Sequence, residues 1–294
     1  MANGILIIDK PQGWTSMDVC AKLRGKFHEK RVGHGGTLDP MATGVLPVFL
    51  GRATRAVEFA AGSDKEYVAG LKLGVVTNTQ DTTGQVLETR PVTAGREAVA
   101  AALAGFTGPI EQVPPMYSAV KKDGQKLYEL ARKGVEVERR PRPVTIHALE
   151  LLEEPPFGWP EEEHTFYLRV RCSKGTYVRT LCHDMGRALG CGGCMSALRR
   201  TEAGGCSLAE SYTLDQVLEA ENPEALLRPV DGCFAACPAL TISGKTVFRA
   251  KNGNPFSARV PDGDYRVYSD SGEFLLLGRA KDGQVSTIKS FFEV

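Results

Sequence analysis

The stretch Gly33-His34-Gly35-Gly36-Thr37-Leu38-Asp39-Pro40-Met41-Ala42-Thr43-Gly44-Val45-Leu46-Pro47 decides how the rest of the chain is read. Four of its residues up to Pro40 are Gly or Pro, and Gly44 and Pro47 follow, which argues against a regular helix or a central strand. Leu38, Met41, Val45 and Leu46 favour burial, so a flexible linker is equally excluded. A stiff, apolar, Gly-rich loop often holds one group close to a ligand. Asp39 is its only acid, and Pro40 biases Asp39 toward extended backbone. From these residues alone, two readings stand side by side: a reactive carboxylate on a restrained backbone, or an Asx-turn whose carboxylate accepts backbone N–H bonds.

Outward from the loop, ordered motifs follow. Asp9-Lys10-Pro11-Gln12-Gly13-Trp14-Thr15-Ser16 precedes it, and Lys65-Glu66-Tyr67 with Leu73-Gly74 comes after it. Lys174-Gly175-Thr176-Tyr177-Val178-Arg179-Thr180-Leu181 and Leu198-Arg199-Arg200 lie further on. Together these motifs resemble the TruB-type tRNA pseudouridine synthases, the bacterial tRNA pseudouridine-55 synthases, over nearly the whole chain. Gly35 departs from the Thr or Ser common after the His, and Asn78 from a common Asp. Neither is a position to which the resemblance assigns chemistry.

The resemblance implies an α+β pseudouridine-synthase fold: a central mixed, largely antiparallel sheet flanked by helices, over residues 1–230. A PUA-like RNA-binding domain is implied over 231–294. It further implies isomerisation of uridine to pseudouridine in the T-arm of tRNA, without cofactor or metal. Asp39 would be the catalytic carboxylate and Arg179 its ion-pair partner. Tyr67 would stack on the uracil and help remove the C5 proton. His34 would help displace the target base. Lys10, Lys121, Lys122, Lys174, Tyr177, Leu198 and Arg199 would bind RNA. Tyr117 to Gly124 resembles a loop that closes over the RNA.

The chemistry asks for such groups. Breaking the N1–C1′ bond of uridine places positive charge on the ribose, as in glycoside hydrolysis, and a carboxylate stabilises or traps it. The target base must leave its stack to reach that carboxylate. A glycoside hydrolase would need a second catalytic carboxylate, and no motif offers one. A non-catalytic RNA-binding protein on the same scaffold is disfavoured by intact Asp39, Tyr67 and Arg179. The long segment 76–147 and the absence of lysine-rich tails favour the stand-alone synthases over the guide-RNA-dependent branch. A monomer without an obligatory protein partner is therefore expected.

Composition agrees with a globular protein of one or two domains: 294 residues, 42% hydrophobic, 24% charged. The run Ile5 to Ile8 is too short for a signal peptide and no stretch has the length of a membrane span, so a cytoplasmic protein with reduced thiols is expected. A net charge of +1 looks wrong for an RNA partner, but its distribution is uneven. Residues 166–200 carry Arg169, Arg171, Lys174, Arg179, Arg187, Arg199 and Arg200 against Asp184 alone. Acidic blocks from Glu150 to Glu163 and Glu202 to Asp231 offset them, which predicts one basic face. Cys191-x2-Cys194 and Cys233-x3-Cys237 invite a zinc reading, but 38 residues separate the pairs, and no metal is expected.

The secondary-structure pattern adds detail. Residues 4–9 read as a buried strand, and Ser16 as the N-cap of a helix reaching Phe27. Tyr67 to Leu73 and Thr165 to Cys172 alternate as strands. Arg96 to Leu103, Gln125 to Lys133, Tyr177 to Leu189 and Leu214 to Glu219 read as helices, the last capped by Thr213. Arg179 falls in the first turn of its helix, where a cation opposes the macrodipole unless an anion lies near. Beyond Asp231, short strands and the turn Asp270-Ser271-Gly272 predict a small β-rich unit.

Overall fold

The apolar run of β1 (Gly4–Lys10) is buried along nearly its whole length, as a strand paired on both edges requires. This computed structural model describes residues 2–292. The strands that position the site are β2 (Val32–His34), β3 (Thr43–Leu50), β4 (Lys65–Leu73), β5 (Gly108–Gln112), β6 (Arg142–Leu151), β7 (Thr165–Cys172), β8 (Gly193–Ala203) and β9 (Tyr212–Thr213). They lie in the order β9-β1-β3-β8-β4-β7-β6-β5 within a ten-stranded sheet. Only the β1–β9 and β3–β8 pairings are parallel; the remainder are antiparallel. The expected mixed, largely antiparallel sheet is what the chain builds.

One expectation is corrected. Thr43 to Pro47 is part of a central strand despite Gly44 and Pro47. The register explains both residues. Gly44 is opposite Arg200, and a Cβ there would lie 2.2 Å from the Arg200 carbonyl oxygen. Pro47 sits between the end of the β8 pairing and the start of the β2 pairing, where only its carbonyl is used, accepting from Gly35 N at 2.9 Å. Its missing N–H therefore costs no ladder bond. Gly44 also has φ of +100°, so Gly44→Ala combines a steric clash with backbone strain. The expected loss is about 3 kcal/mol or more, read as a lower urea midpoint. An unchanged midpoint would show that β3 and β8 can separate freely.

Two longer helices cover one face. α1 (Ser16–Lys26) is capped by Thr15, one residue before the expected cap, through a reciprocal box with Asp18. It packs Val19, Cys20 and Leu23 against Leu6, Ile8, Leu46 and Val48, together with the helix Leu214–Glu219. α2 (Val178–Ala188) sets Leu181, Cys182 and Met185 on Tyr67, Ala69, Leu71, Leu168 and Val170. The segment read as a helix from Gln125 to Lys133 keeps only Leu127–Ala131 in that form.

Beyond Asp231 a second sheet of five strands forms its own core from Ile242, Phe256, Val267, Leu275, Leu276 and Val285. It does not stand clear of the first. Phe234 packs on Phe59, Phe274 and Phe291 at ring-centroid distances of 5.1, 6.2 and 5.6 Å. This aromatic cluster joins the opposite face of the large sheet at Ile5, Ile7, Val45 and Phe49. Among the described residues no helix is long and apolar enough to cross a membrane.

Candidate active site

The loop between β2 and β3 is fastened from both sides. The Ser16 hydroxyl, on the first residue of α1, accepts from Leu38 N at 2.9 Å and donates to Leu38 O at 3.2 Å. Gly13 N donates to Pro40 O at 2.8 Å, and Ala42 N to Asp39 O at 3.0 Å. Asp39 is thus held by its neighbours' backbone while its side chain stays free to point away. Among the described residues no backbone N–H reaches the carboxylate, so the Asx-turn reading fails. The oxygens instead take Arg179: Nε to Oδ2 at 2.9 Å and Nη2 to Oδ1 at 3.4 Å. The helix-start cation expected to need an anion has found one.

Arg179 is 6% exposed and fully engaged. Nη1 donates to Thr79 O at 3.0 Å and Nη2 to Tyr117 O at 2.9 Å. Nη1 also lies 3.7 Å from Asp81 Oδ2. Asp81 was not singled out from sequence. It is buried, and its Oδ1 accepts from the hydroxyls of Thr79 and Thr83 at 2.8 and 2.6 Å. The Thr79-x-Asp81-x-Thr83-Gly84 spacing, typical of an Asx-type turn, was the available signal. The arrangement is one guanidinium between two carboxylates, of which Asp39 alone is substantially exposed, at 35%. Burial pushes the Asp39 carboxyl above the usual aspartate range; Arg179 opposes that rise and Asp81 adds to it.

Tyr67 on β4 lies in the same apolar cluster as Leu38, Ala42 and Leu198, which form the floor beside Asp39. The site therefore combines one accessible carboxylate, a buried cation holding it, and an aromatic ring against apolar walls. That set suits a cationic sugar and a planar base.

The N-terminal model of the TruB family of pseudouridylate synthases matches residues 24–178, and a tRNA pseudouridylate synthase B C-terminal domain model matches 179–235. The chain belongs to the TruB family. A tRNA pseudouridine synthase B of Clostridium kluyveri is 41% identical, covering 98% of this chain and 99% of the relative. One of Pseudomonas fluorescens strain Pf-5 is 45% identical over 97% of this chain and 94% of the relative. A chain of a crystal structure titled as a Cbf5-Nop10-Gar1 complex superposes with a TM-score of 0.73 at 26% identity, over 99% of this chain and 85% of that one. As a TruB-family pseudouridylate synthase, the protein converts uridine to pseudouridine.

The other residues expected to touch RNA divide into groups. Lys121 and Lys174 are exposed and Lys122 is half-buried, its ammonium on Glu138 O at 2.9 Å. Tyr177 is the N-cap of α2, where the Gln112 side chain donates to its carbonyl at 3.3 Å and accepts from its N–H at 3.0 Å. His34 closes β2, and its Nδ1 is buried with no hydrogen-bond partner among the described residues. Burial, aided by the charge of Arg200, lowers the imidazole's affinity for a proton, against a Gly36 backbone contact that raises it, and so favours the neutral form.

Two of them lie apart from that exposed set. Lys10 is wholly buried; its ammonium donates to the carbonyls of Trp14, Pro11 and Pro40 at 2.7, 2.9 and 3.4 Å. Burial lowers its pKa to about 8, against the pull of Asp39. It braces the loop backbone. Arg199 points to the opposite face of the sheet from Tyr67, because its register partner on β4 is Val68. There it bonds Asp9 at 2.6 Å and Thr43 at 3.2 Å and covers the Phe157 ring. Arg200, one residue on, faces Tyr67 instead.

The basic face is correspondingly thinner than charge counting predicts. Of the seven cations in 166–200, Arg179 and Arg200 are buried, and Arg169, Arg187 and Arg199 are paired with Glu150, Asp184 and Asp9. Cys191 lies in the core under α2 and Cys237 against the aromatic cluster, so the two cysteine pairs belong to different parts of the fold.

Proposed function

We propose that this enzyme isomerises a single uridine in the T-arm of tRNA, with Asp39 as the catalytic carboxylate. The observation that carries this is the pairing of a half-exposed Asp39 with a buried, four-way anchored Arg179. A flipped uridine brings its C1′ to the one open side of that pair. As the glycosidic bond breaks, Asp39 meets the positive charge on the ribose, by covalent capture or by assisting elimination. Arg179 keeps the carboxylate oriented and offsets the burial that favours its protonation. Tyr67 stacks on the freed uracil, which turns and bonds through C5. Tyr67 then takes part in removing the C5 proton.

His34, neutral and set at the loop's entrance, takes the place of the displaced base. The segment from Tyr117 through Gly124 closes over the RNA, and its Tyr117 carbonyl on Arg179 ties closure to the site. Lys121, Lys122 and Lys174 meet phosphates. Its substrate is tRNA, on the strength of relatives named tRNA pseudouridine synthase B at 41 and 45% identity; it acts as a monomer in the cytoplasm without an obligatory protein partner. The test is conversion of unmodified tRNA by recombinant protein, mapping each pseudouridine. One product in the T-loop is expected; modification only elsewhere, or none, would overturn the reading.

Residues 231–294 serve as the RNA-binding module. Truncation before Asp231 should weaken tRNA binding more than it slows conversion of bound RNA. It also strips Phe234, Phe274 and Phe291 from Phe49 and Phe59, so folding must be checked by circular dichroism. If a folded truncated protein loses its single-turnover rate at saturating enzyme, the segment belongs to the catalytic unit.

A further inference from the structure

Arg200 is 1% exposed, and among the described residues no carboxylate lies within ion-pair distance of it. A guanidinium so placed is costly unless its donors and charge are used. Two donors are used locally: Nε to Val45 O at 2.7 Å and Nη2 to Gly36 O at 3.1 Å. These bonds tie β8 to both ends of the Asp39 loop. The remainder of the group faces a tyrosine.

The sheet register aligns Lys10, Gly44, Arg200 and Tyr67 across β1, β3, β8 and β4 on the helix-covered face. Gly44 carries no side chain, which leaves that part of the row to Arg200. Arg200 and Tyr67 are directly opposed, so their side chains lie alongside each other. Burial makes the Tyr67 phenol reluctant to ionise, while the nearby charge of Arg200 works the other way. The other titratable groups near this pair are Lys10, His34, Lys65, Asp39 and Cys172. Lys65 is committed to the carbonyls of Ala60, Ala61 and Ser63. Asp39 is held by Arg179 and disfavours a phenolate.

We propose that Arg200 is the positioning residue for Tyr67, fixing its phenol oxygen toward the uracil and supplying the counter-charge when that oxygen acts as a base. The proposal rests on the assignment of Tyr67 to C5 deprotonation. Once C5 has bonded to C1′, C5 still carries its hydrogen. The Tyr67 phenolate takes that proton and becomes phenol; the C5–H electron pair forms the C5=C6 double bond, and the displaced C6=N1 pair moves to N1, which takes up a proton from water. The phenol afterwards returns its proton to water. Arg200 stabilises the phenolate that starts this step and is unchanged at its end.

The experiment compares Arg200→Gln, Arg200→Lys and Tyr67→Phe in full-length protein. Substrates are T-arm RNAs carrying hydrogen or deuterium at C5 of the target uridine. Tyrosines labelled with carbon-13 at Cζ are titrated by NMR, and the resonance missing from Tyr67→Phe identifies Tyr67. In Arg200→Gln the Tyr67 titration should move to higher pH. Single-turnover conversion should slow by about 10²-fold, with a larger deuterium isotope effect than in the parent. Arg200→Lys keeps the charge without the fork and should recover part of the rate. It carries the test if Arg200→Gln does not fold, its Tyr67 titration and isotope effect then being expected to differ from the parent's. A folded Arg200 variant with unchanged Tyr67 titration and isotope effect, beside an inactive Tyr67→Phe, would overturn the role of Arg200 alone. Parental rates in Tyr67→Phe would instead overturn the assignment of Tyr67 on which it rests.

Discussion

Asp39→Asn is expected to lose pseudouridine formation by at least about 10⁴-fold, the scale seen when a residue that meets the reacting atoms is removed. Asn has nearly the same shape, so the loop bonds through Ser16, Gly13 and Ala42 persist; all of them use backbone atoms of residues 38–42. What disappears is the charge that meets the ribose cation. Arg179 stays anchored by Thr79 O, Tyr117 O and Asp81. Binding of tRNA should change by only a few fold, because it draws on many phosphate contacts and on stacking rather than on one anion facing a polyanion. The removed charge repels phosphate, so any small change should be toward tighter binding. The measurement is single-turnover conversion of a T-arm uridine alongside a binding titration of the same variant. Appreciable turnover by folded Asp39→Asn would remove Asp39 from the mechanism. Lost binding with an intact fold would make it a residue that shapes the RNA surface.

The sequence carried the site unevenly. Asp39 was legible because one acid stood alone in a rigid apolar loop, and Arg179 because a cation in a helix's first turn asks for an anion. Strand alternation located β4 and β7 almost to the residue. Other features depended on pairings that no local pattern encodes. Gly44 and Pro47 read as strand breakers, yet their partners leave room for one and need no donor from the other. Arg199 and Arg200 are adjacent and chemically identical, and only the β8–β4 register decides which one faces Tyr67. Lys10 was implied as an RNA contact by the resemblance, and no local pattern showed that three carbonyls hold it inside. Asp81 was hidden because its turn looks like any surface Asx-turn until Arg179 arrives from about a hundred residues away, as the separation of 100 between Arg179 and Thr79 shows. Charge counting overestimated the basic face, since it cannot tell a buried or paired arginine from a free one.

Arg179→Met should be the most damaging change outside Asp39, through two separable effects. First, it leaves Asp39 and Asp81 facing each other without a cation and strands the carbonyls of Thr79 and Tyr117. Breaking a buried pair in this way costs about 3–5 kcal/mol of stability. Second, it changes the ionisation of Asp39. The folded-state pKa of Asp39 already lies above the ordinary 3.8, since burial outweighs Arg179. Activity needs the ionised form, so the rate should rise with pH on an acid limb centred above 3.8 in the parent enzyme. Arg179 lowers the Asp39 pKa, and removing it must raise that pKa further, so the limb moves to higher pH. At pH 7 the loss should reach about 10³-fold, combining lost orientation with partial protonation, and raising the pH should restore part of it. Arg179→Lys separates the effects. It retains a positive charge near Asp39 and so a limb close to the parent's, but one ammonium cannot span Asp39, Thr79 O and Tyr117 O together. Its rate on the pH plateau should therefore remain low. Single-turnover rates of both variants between pH 5 and 9, with urea midpoints in parallel, decide the matter. A limb that moves to lower pH in Arg179→Met, or a parental plateau rate in Arg179→Lys, would mean that Arg179 serves the fold and not the carboxylate.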